Sequence, residues 1–125
     1  MELVEIYADA AGETHLRRTA IDFEMRDFAP PAQPLGVSEE MAATASLFLT
    51  APPGWDDRFH PTPRKQLAVL LTGDIRVSVS DGSSVDFRPG DAFLLNDMAS
   101  KGHLTRVRGD RDAAFLFVVL EETGA

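Results

Sequence analysis

An all-β fold is what this sequence predicts, and three observations predict it. Apolar and polar residues alternate with a period of two along much of the chain, the pattern of half-buried strands. Turns built on Gly, Asp and Pro recur at short intervals between those stretches, as in Ser80-Asp81-Gly82-Ser83 and Arg88-Pro89-Gly90-Asp91. No segment sustains the 3.6-residue period of an amphipathic helix; Ser38-Glu39-Glu40 resembles a helix start, but nothing apolar follows to continue it.

Taken in order, Leu3 to Tyr7 alternates weakly and reads as a short edge strand, followed by a turn over Asp9 to Glu13. His15 stands just before the next strand. From Arg17 to Arg26 the odd positions Thr19, Ile21, Phe23 and Met25 oppose the even positions Arg18, Ala20, Asp22, Glu24 and Arg26, which predicts a half-buried strand. The stretch 29–36, Ala-Pro-Pro-Ala-Gln-Pro-Leu-Gly, removes too many backbone donors for a helix or a central strand and reads as an extended surface arm. Thr44 to Thr50 is a strand with Ala45, Leu47 and Leu49 on one face, closed by the turn Pro52-Pro53-Gly54.

Gln66 to Leu71 is a short apolar run, as a buried strand should be. Ile75, Val77 and Val79 alternate with polar residues, then a hairpin turn leads into Val85 and Phe87. Arg88-Pro89-Gly90-Asp91 has the proline and glycine of a type II turn. Ala92 to Leu95, His103 to Val107 and the long run Ala113 to Leu120 complete the set, with a loop over 96–102 and a tail over 121–125. About nine strands result, a sandwich or a barrel.

The totals narrow the function classes. A chain of 125 residues is the size of one domain, 1–125, and buries enough surface to fold without staples. It has no cysteine, which excludes disulfides, thiolate catalysis and cysteine-held metals and fits a reducing cytoplasm. A net charge of −8 repels phosphate backbones, so no nucleic-acid partner is expected. Met1-Glu2-Leu3-Val4-Glu5 lacks the basic then apolar pattern of a signal peptide, and no apolar run reaches membrane-spanning length.

One stretch concentrates the chemistry. Residues 54–73 place Trp55, His60, Pro61, Pro63, Arg64, Lys65 and Gln66 at the entrance of the apolar strand, where a polar group is held rigidly yet faces a cavity. The spacing runs Gly54, five residues, His60, one residue, Thr62, three residues, Gln66, six residues, Gly73. That pattern resembles the first motif of the cupin family, in which Thr62 and Gln66 stand where a second histidine and a glutamate belong. Phe87-Arg88-Pro89-Gly90-Asp91 resembles the opening of the second cupin motif, whose histidine corresponds to His103 after a loop about two residues longer than usual. The likeness covers residues 45–120, leaving 1–44 as N-terminal strands and arm. It is greatest to small single-domain cupins with a Trp-…-His-x-x-Pro-Arg-…-Gln segment.

The resemblance implies a double-stranded β-helix, a jelly-roll barrel with its site at the mouth. It implies a divalent metal (zinc, manganese, iron or nickel) on three histidines and a glutamate. Here the candidate ligands are His60, Gln66 and His103, with Asp97 or Asp57 as a substitute carboxylate; the alternative is a metal-free polar cavity. His60 and His103 are then the candidate acid–base pair, with Gln66 orienting one ring. Trp55, Arg64 and Asp97 are the candidate ligand-pocket residues: an aromatic cover, an anion clamp and a carboxylate. The alternatives are a Trp55 that packs on the arm or on a second subunit, and an exposed basic pair Arg64-Lys65. Phe87, Phe93, Phe115 and Phe117 are expected in the core, His15 and Arg106 in solvent.

Two functions remain open at this stage. One is an enzyme of the isomerase, cyclase, lyase or dioxygenase type acting on a small organic molecule. The other is a non-catalytic ligand-binding or auxiliary cupin. A homodimer formed through the N-terminal strand and the arm is the expected assembly.

Overall fold

The computed structural model describes residues 1–56 and 58–122. These form eleven strands and no helix: β1 (Glu2–Ala8), β2 (Thr14–Ala20), β3 (Glu24–Arg26), β4 (Leu35–Val37), β5 (Ala43–Ala51), β6 (Gln66–Thr72), β7 (Ile75–Val79), β8 (Ser84–Phe87), β9 (Ala92–Asn96), β10 (His103–Val107) and β11 (Ala113–Leu120). A six-stranded sheet runs β2-β1-β9-β6-β11-β5, and a three-stranded sheet runs β10-β7-β8. They face each other across one core but do not hydrogen-bond into a closed barrel. A separate pair, β3 with β4, belongs to neither sheet.

Alternation explains the core. Ile75, Val77 and Val79 point inward from β7, as do Ala68 and Leu70 from β6, Phe93 and Leu95 from β9, and Ala113 and Phe115 from β11; all are buried. Phe87 stacks on Phe93 with ring centroids 4.3 Å apart. On the outer face of the small sheet, the forked hydrogen bonds from Arg76 hold the Asp86 carboxyl down at about 2, with Arg108 adding to the effect.

The turns follow their glycines. Gly82 and Gly90 have φ of +93° and +95°, as the hairpin and type II signals require. Gly73 is also left-handed, and a side chain there would meet Ala113 Cα at 2.8 Å.

Three expectations change. The N-terminal strand is not an edge: β1 lies between β2 and β9, parallel to β9. The alternation over 17–26 does not mark one half-buried strand. Strand β2 ends at Ala20, and Phe23 and Met25 are exposed, at and within the separate β3–β4 pair that belongs to neither large sheet. The proline-rich stretch 29–36 does reach a strand at its end, since Leu35 and Gly36 pair with Arg26 and Met25.

Candidate functional site

The inner rows of the sandwich turn polar at one end. Along β10 the buried row reads Val107, Thr105, His103, and along β6 it reads Leu70, Ala68, Gln66. His103 is directly opposite Val79 on β7, and Gln66 opposite Leu95 on β9. Period-two alternation therefore carries the same face from aliphatic core to hydrogen-bonding groups.

His60 joins this end through the backbone. Its N–H donates to the carbonyl of His103 and its own carbonyl accepts the N–H of His103, both at 3.0 Å. The rings lie with centroids 4.9 Å apart. Gly102 makes the approach possible. At φ +83° it has no Cβ, and one would fall 2.5 Å from the His60 oxygen and 2.6 Å from Pro61 N.

Each histidine has its own aspartate. Asp97 is fully buried, and its Oδ2 accepts the Nδ1–H of the buried His103 at 2.6 Å. An ionised carboxylate can only accept, so Nδ1 is the donor of this contact and Nε2 is the ring nitrogen left outside it. The long loop of the second motif supplies Asp97. Ser100 Oγ donates to the Asp97 carbonyl, and its oxygen accepts the N–H of Gly102, curling the loop under His103. Asp56 serves His60 more loosely: Oδ2 lies 3.5 Å from His60 Nδ1 and accepts the Thr105 N–H at 2.8 Å. Nothing in the sequence marked Asp56 beyond its place four residues before His60.

Thr62 and Gln66 form a local hydrogen-bond chain. Thr62 Oγ1 donates to the Arg64 carbonyl at 2.7 Å and accepts from Gln66 Nε2 at 3.2 Å. Both residues are buried.

A cavity of about 280 Å³ opens among these groups. Its polar lining includes His60, His103, Thr62, Gln66 and Thr105; its apolar lining includes Trp55, Leu49, Leu95, Phe93, Phe115 and Phe117. Trp55 is half-exposed and stands edge-on to His60, with centroids 5.9 Å apart. The expected core phenylalanines Phe93, Phe115 and Phe117 thus also form cavity wall.

Of the predicted site residues, His60, His103, Gln66 and Trp55 line the cavity, and Asp97 sits directly behind His103. Arg64 is exposed and outside the lining; it contributes only its backbone carbonyl to Thr62. Asp57 falls outside the described residues. Among the described residues, no three His, Asp or Glu side chains converge as metal ligands. The donors that meet here are two imidazoles, an amide and a hydroxyl that is already donating, with both Nδ1 atoms turned toward other groups. This set does not fit the centre of three histidines and a glutamate.

No family model and no curated relative matches the chain. Solved structures do. The cupin domain of Cnp3 from Schizosaccharomyces pombe aligns with a TM-score of 0.51 and 12% identity, over 88% of this chain and 74% of that one. A Neisseria meningitidis protein aligns at a TM-score of 0.46 and 17% identity, over 61% of this chain and 72% of that one. The putative ethanolamine utilization protein Q of Salmonella typhimurium aligns at 0.39 and 16%, over 96% and 95%. Facing sheets, a polar end where the first-motif residues meet His103, and the likeness to the Cnp3 domain identify the chain as a cupin-fold protein.

Proposed function

We propose that the cavity binds a small, largely apolar organic molecule and that His103 moves a proton to or from it, positioned by Asp97. The observation that carries this reading is the 2.6 Å contact between Asp97 and His103 Nδ1. It fixes the tautomer, leaves Nε2 as the basic nitrogen of a cavity-lining ring, and provides a buried negative charge to stabilise the imidazolium once a proton is taken. His60, facing His103, is the second proton carrier. Gln66 Nε2 is committed to Thr62, so its carbonyl oxygen is the atom available to a ligand. The chemistry that suits this set is proton abstraction or transfer within a substrate, as in an isomerase or a lyase. A ligand-binding cupin that lacks turnover is the second reading, favoured by the apolar lining and by Thr62 and Gln66 standing at the ligand positions.

A generic base-sensitive probe separates the two. Ring opening of 5-nitrobenzisoxazole needs only a positioned base in an apolar site. The parent protein should accelerate it about 100-fold over His103→Gln. Quenching of Trp55, the only tryptophan, reports occupancy in the same samples. Quenching with no rate difference between parent and variant would favour the binding module and sink the proton-transfer reading.

A further inference from the structure

The strand that carries His103 is fastened at its near end by a residue outside both cupin-like motifs. His103 and Val79 form the last pair of the β7–β10 ladder. One residue beyond them, on either side, stand Gly102 and Ser80. The hydroxyl of Thr14, at the start of β2 and fully buried, bridges these two. It donates to the Gly102 carbonyl at 2.7 Å and accepts the Ser80 N–H at 2.7 Å. The Ser80 hydroxyl accepts the Thr14 N–H at 2.7 Å and meets the Thr14 hydroxyl at 3.1 Å. One side chain thus ties together the β1–β2 turn, the end of β7 and the peptide that leads into His103. Thr14 is not among the residues that line the cavity.

The peptide before His103 is the one that needs a tie. Gly102 has φ of +83°, and without a side chain it has the widest torsional freedom of any residue. It also joins the loop that supplies Asp97 to the strand that supplies His103. Its N–H donates to Ser100 Oγ, which donates to the Asp97 carbonyl. Rotation at Gly102 therefore moves the imidazole relative to the carboxylate, and a contact of 2.6 Å tolerates little displacement. The next residue back is tied to the same turn: the Lys101 N–H donates to the Gly12 carbonyl at 2.9 Å, and Lys101 Nζ to Glu13 at 2.6 Å.

We infer that Thr14 is a positioning residue for the Asp97–His103 pair, its hydroxyl fixing the Gly102–His103 peptide so that the imidazole stays on the carboxylate. The geometric role is independent of turnover; its bearing on rate rests on the proton-transfer reading above.

Proton NMR reads the contact directly. An imidazole N–H held on a buried carboxylate exchanges slowly enough with cold water to give a downfield resonance, assigned to His103 by its loss in His103→Gln. Thr14→Val keeps the shape without the hydroxyl and should raise the exchange rate about tenfold. Thr14→Ser restores the hydroxyl and should stay within about twofold of the parent. Ile75→Val, at the far end of β7, lowers general stability and should leave the rate unchanged. In the same samples, kcat for ring opening of 5-nitrobenzisoxazole should fall about tenfold in Thr14→Val with KM unchanged. If Thr14→Val does not fold, Ser80→Ala decides: it removes the acceptor of the Thr14 N–H and should raise exchange about threefold.

Equal exchange in the parent and Thr14→Val overturns the inference, as does a Thr14→Ser as fast as Thr14→Val. So does an equal rise in Ile75→Val, an unchanged Ser80→Ala where that variant decides, or a parent without the resonance. A parent no faster than His103→Gln on the probe sinks the proton-transfer reading alone, and faster exchange in Thr14→Val still upholds the positioning role.

Discussion

Two aspartate–histidine contacts in this molecule have nearly the same length and opposite surroundings. His103 meets Asp97 at 2.6 Å in a place where both side chains are closed to water. His15 meets Asp9 at 2.7 Å and Asp81 at 2.9 Å at the surface, tying the β1–β2 turn to the β7–β8 turn. The inner histidine has one ring nitrogen committed to its aspartate, and the residue lines a cavity. The outer histidine has both nitrogens committed and no free edge. The difference teaches that a carboxylate beside an imidazole builds a reactive group only when it leaves one nitrogen unoccupied and shielded from water. With both nitrogens bridged, the same contact is a clasp between turns.

The inner side is the easier to break. Gly102→Ala drives a methyl group into the backbone of His60 and Pro61, which cannot yield as a flexible side chain would. We expect a loss of at least about 3 kcal/mol, read as the urea midpoint. Asp97→Ala comes next. It strands a buried imidazole and removes a weaker 3.4 Å acceptor from the Thr62 N–H, and should cost about 3 kcal/mol or somewhat less. The matched change Asp9→Ala at the exposed clasp should move the urea midpoint far less. Equal shifts would show that burial does not distinguish the two contacts.

The smallest effect is one of pH. The hydrogen bond to Asp9, then that to Asp81, raises the pKa of His15 above its ordinary 6.5. A raised folded-state value means that the clasp contributes fully below 6.5 and that the contribution fades as pH rises through the folded pKa. The difference in midpoint between the parent and His15→Gln should therefore be larger at about pH 6 than at about pH 9. A difference that grows with pH would refute the assignment.

Much of this was legible in the sequence because alternation and turn glycines are local signals. The strands Ile75–Val79, His103–Val107 and Ala113–Leu120 are legible almost to the residue, and the cupin-like spacing singles out His60 and Gln66. Burial was less legible. Phe23 and Met25 alternate as core residues would, but the chain has left the large sheet at Ala20, and the short β3–β4 pair that follows leaves both exposed. The partner of His103 was only half visible. Asp97 stood out as a carboxylate near the second motif, while its place beneath the ring depends on the Ser100 and Gly102 contacts of the loop. Asp56 escaped because a loop aspartate before a histidine usually marks a turn, and its hydrogen bond to Thr105 N–H spans distant parts of the chain.

The Thr62–Gln66 hydrogen bond has a consequence for how the site can change over generations. Thr62→His alone would remove a donor from the Arg64 carbonyl and an acceptor from the Gln66 amide. Gln66→Glu alone would bury a carboxylate against a hydroxyl already committed elsewhere. Each step costs about 1–3 kcal/mol before the other can supply a metal to offset it. The two positions are thus energetically coupled: a change made at either one alone leaves the other's polar group without its partner.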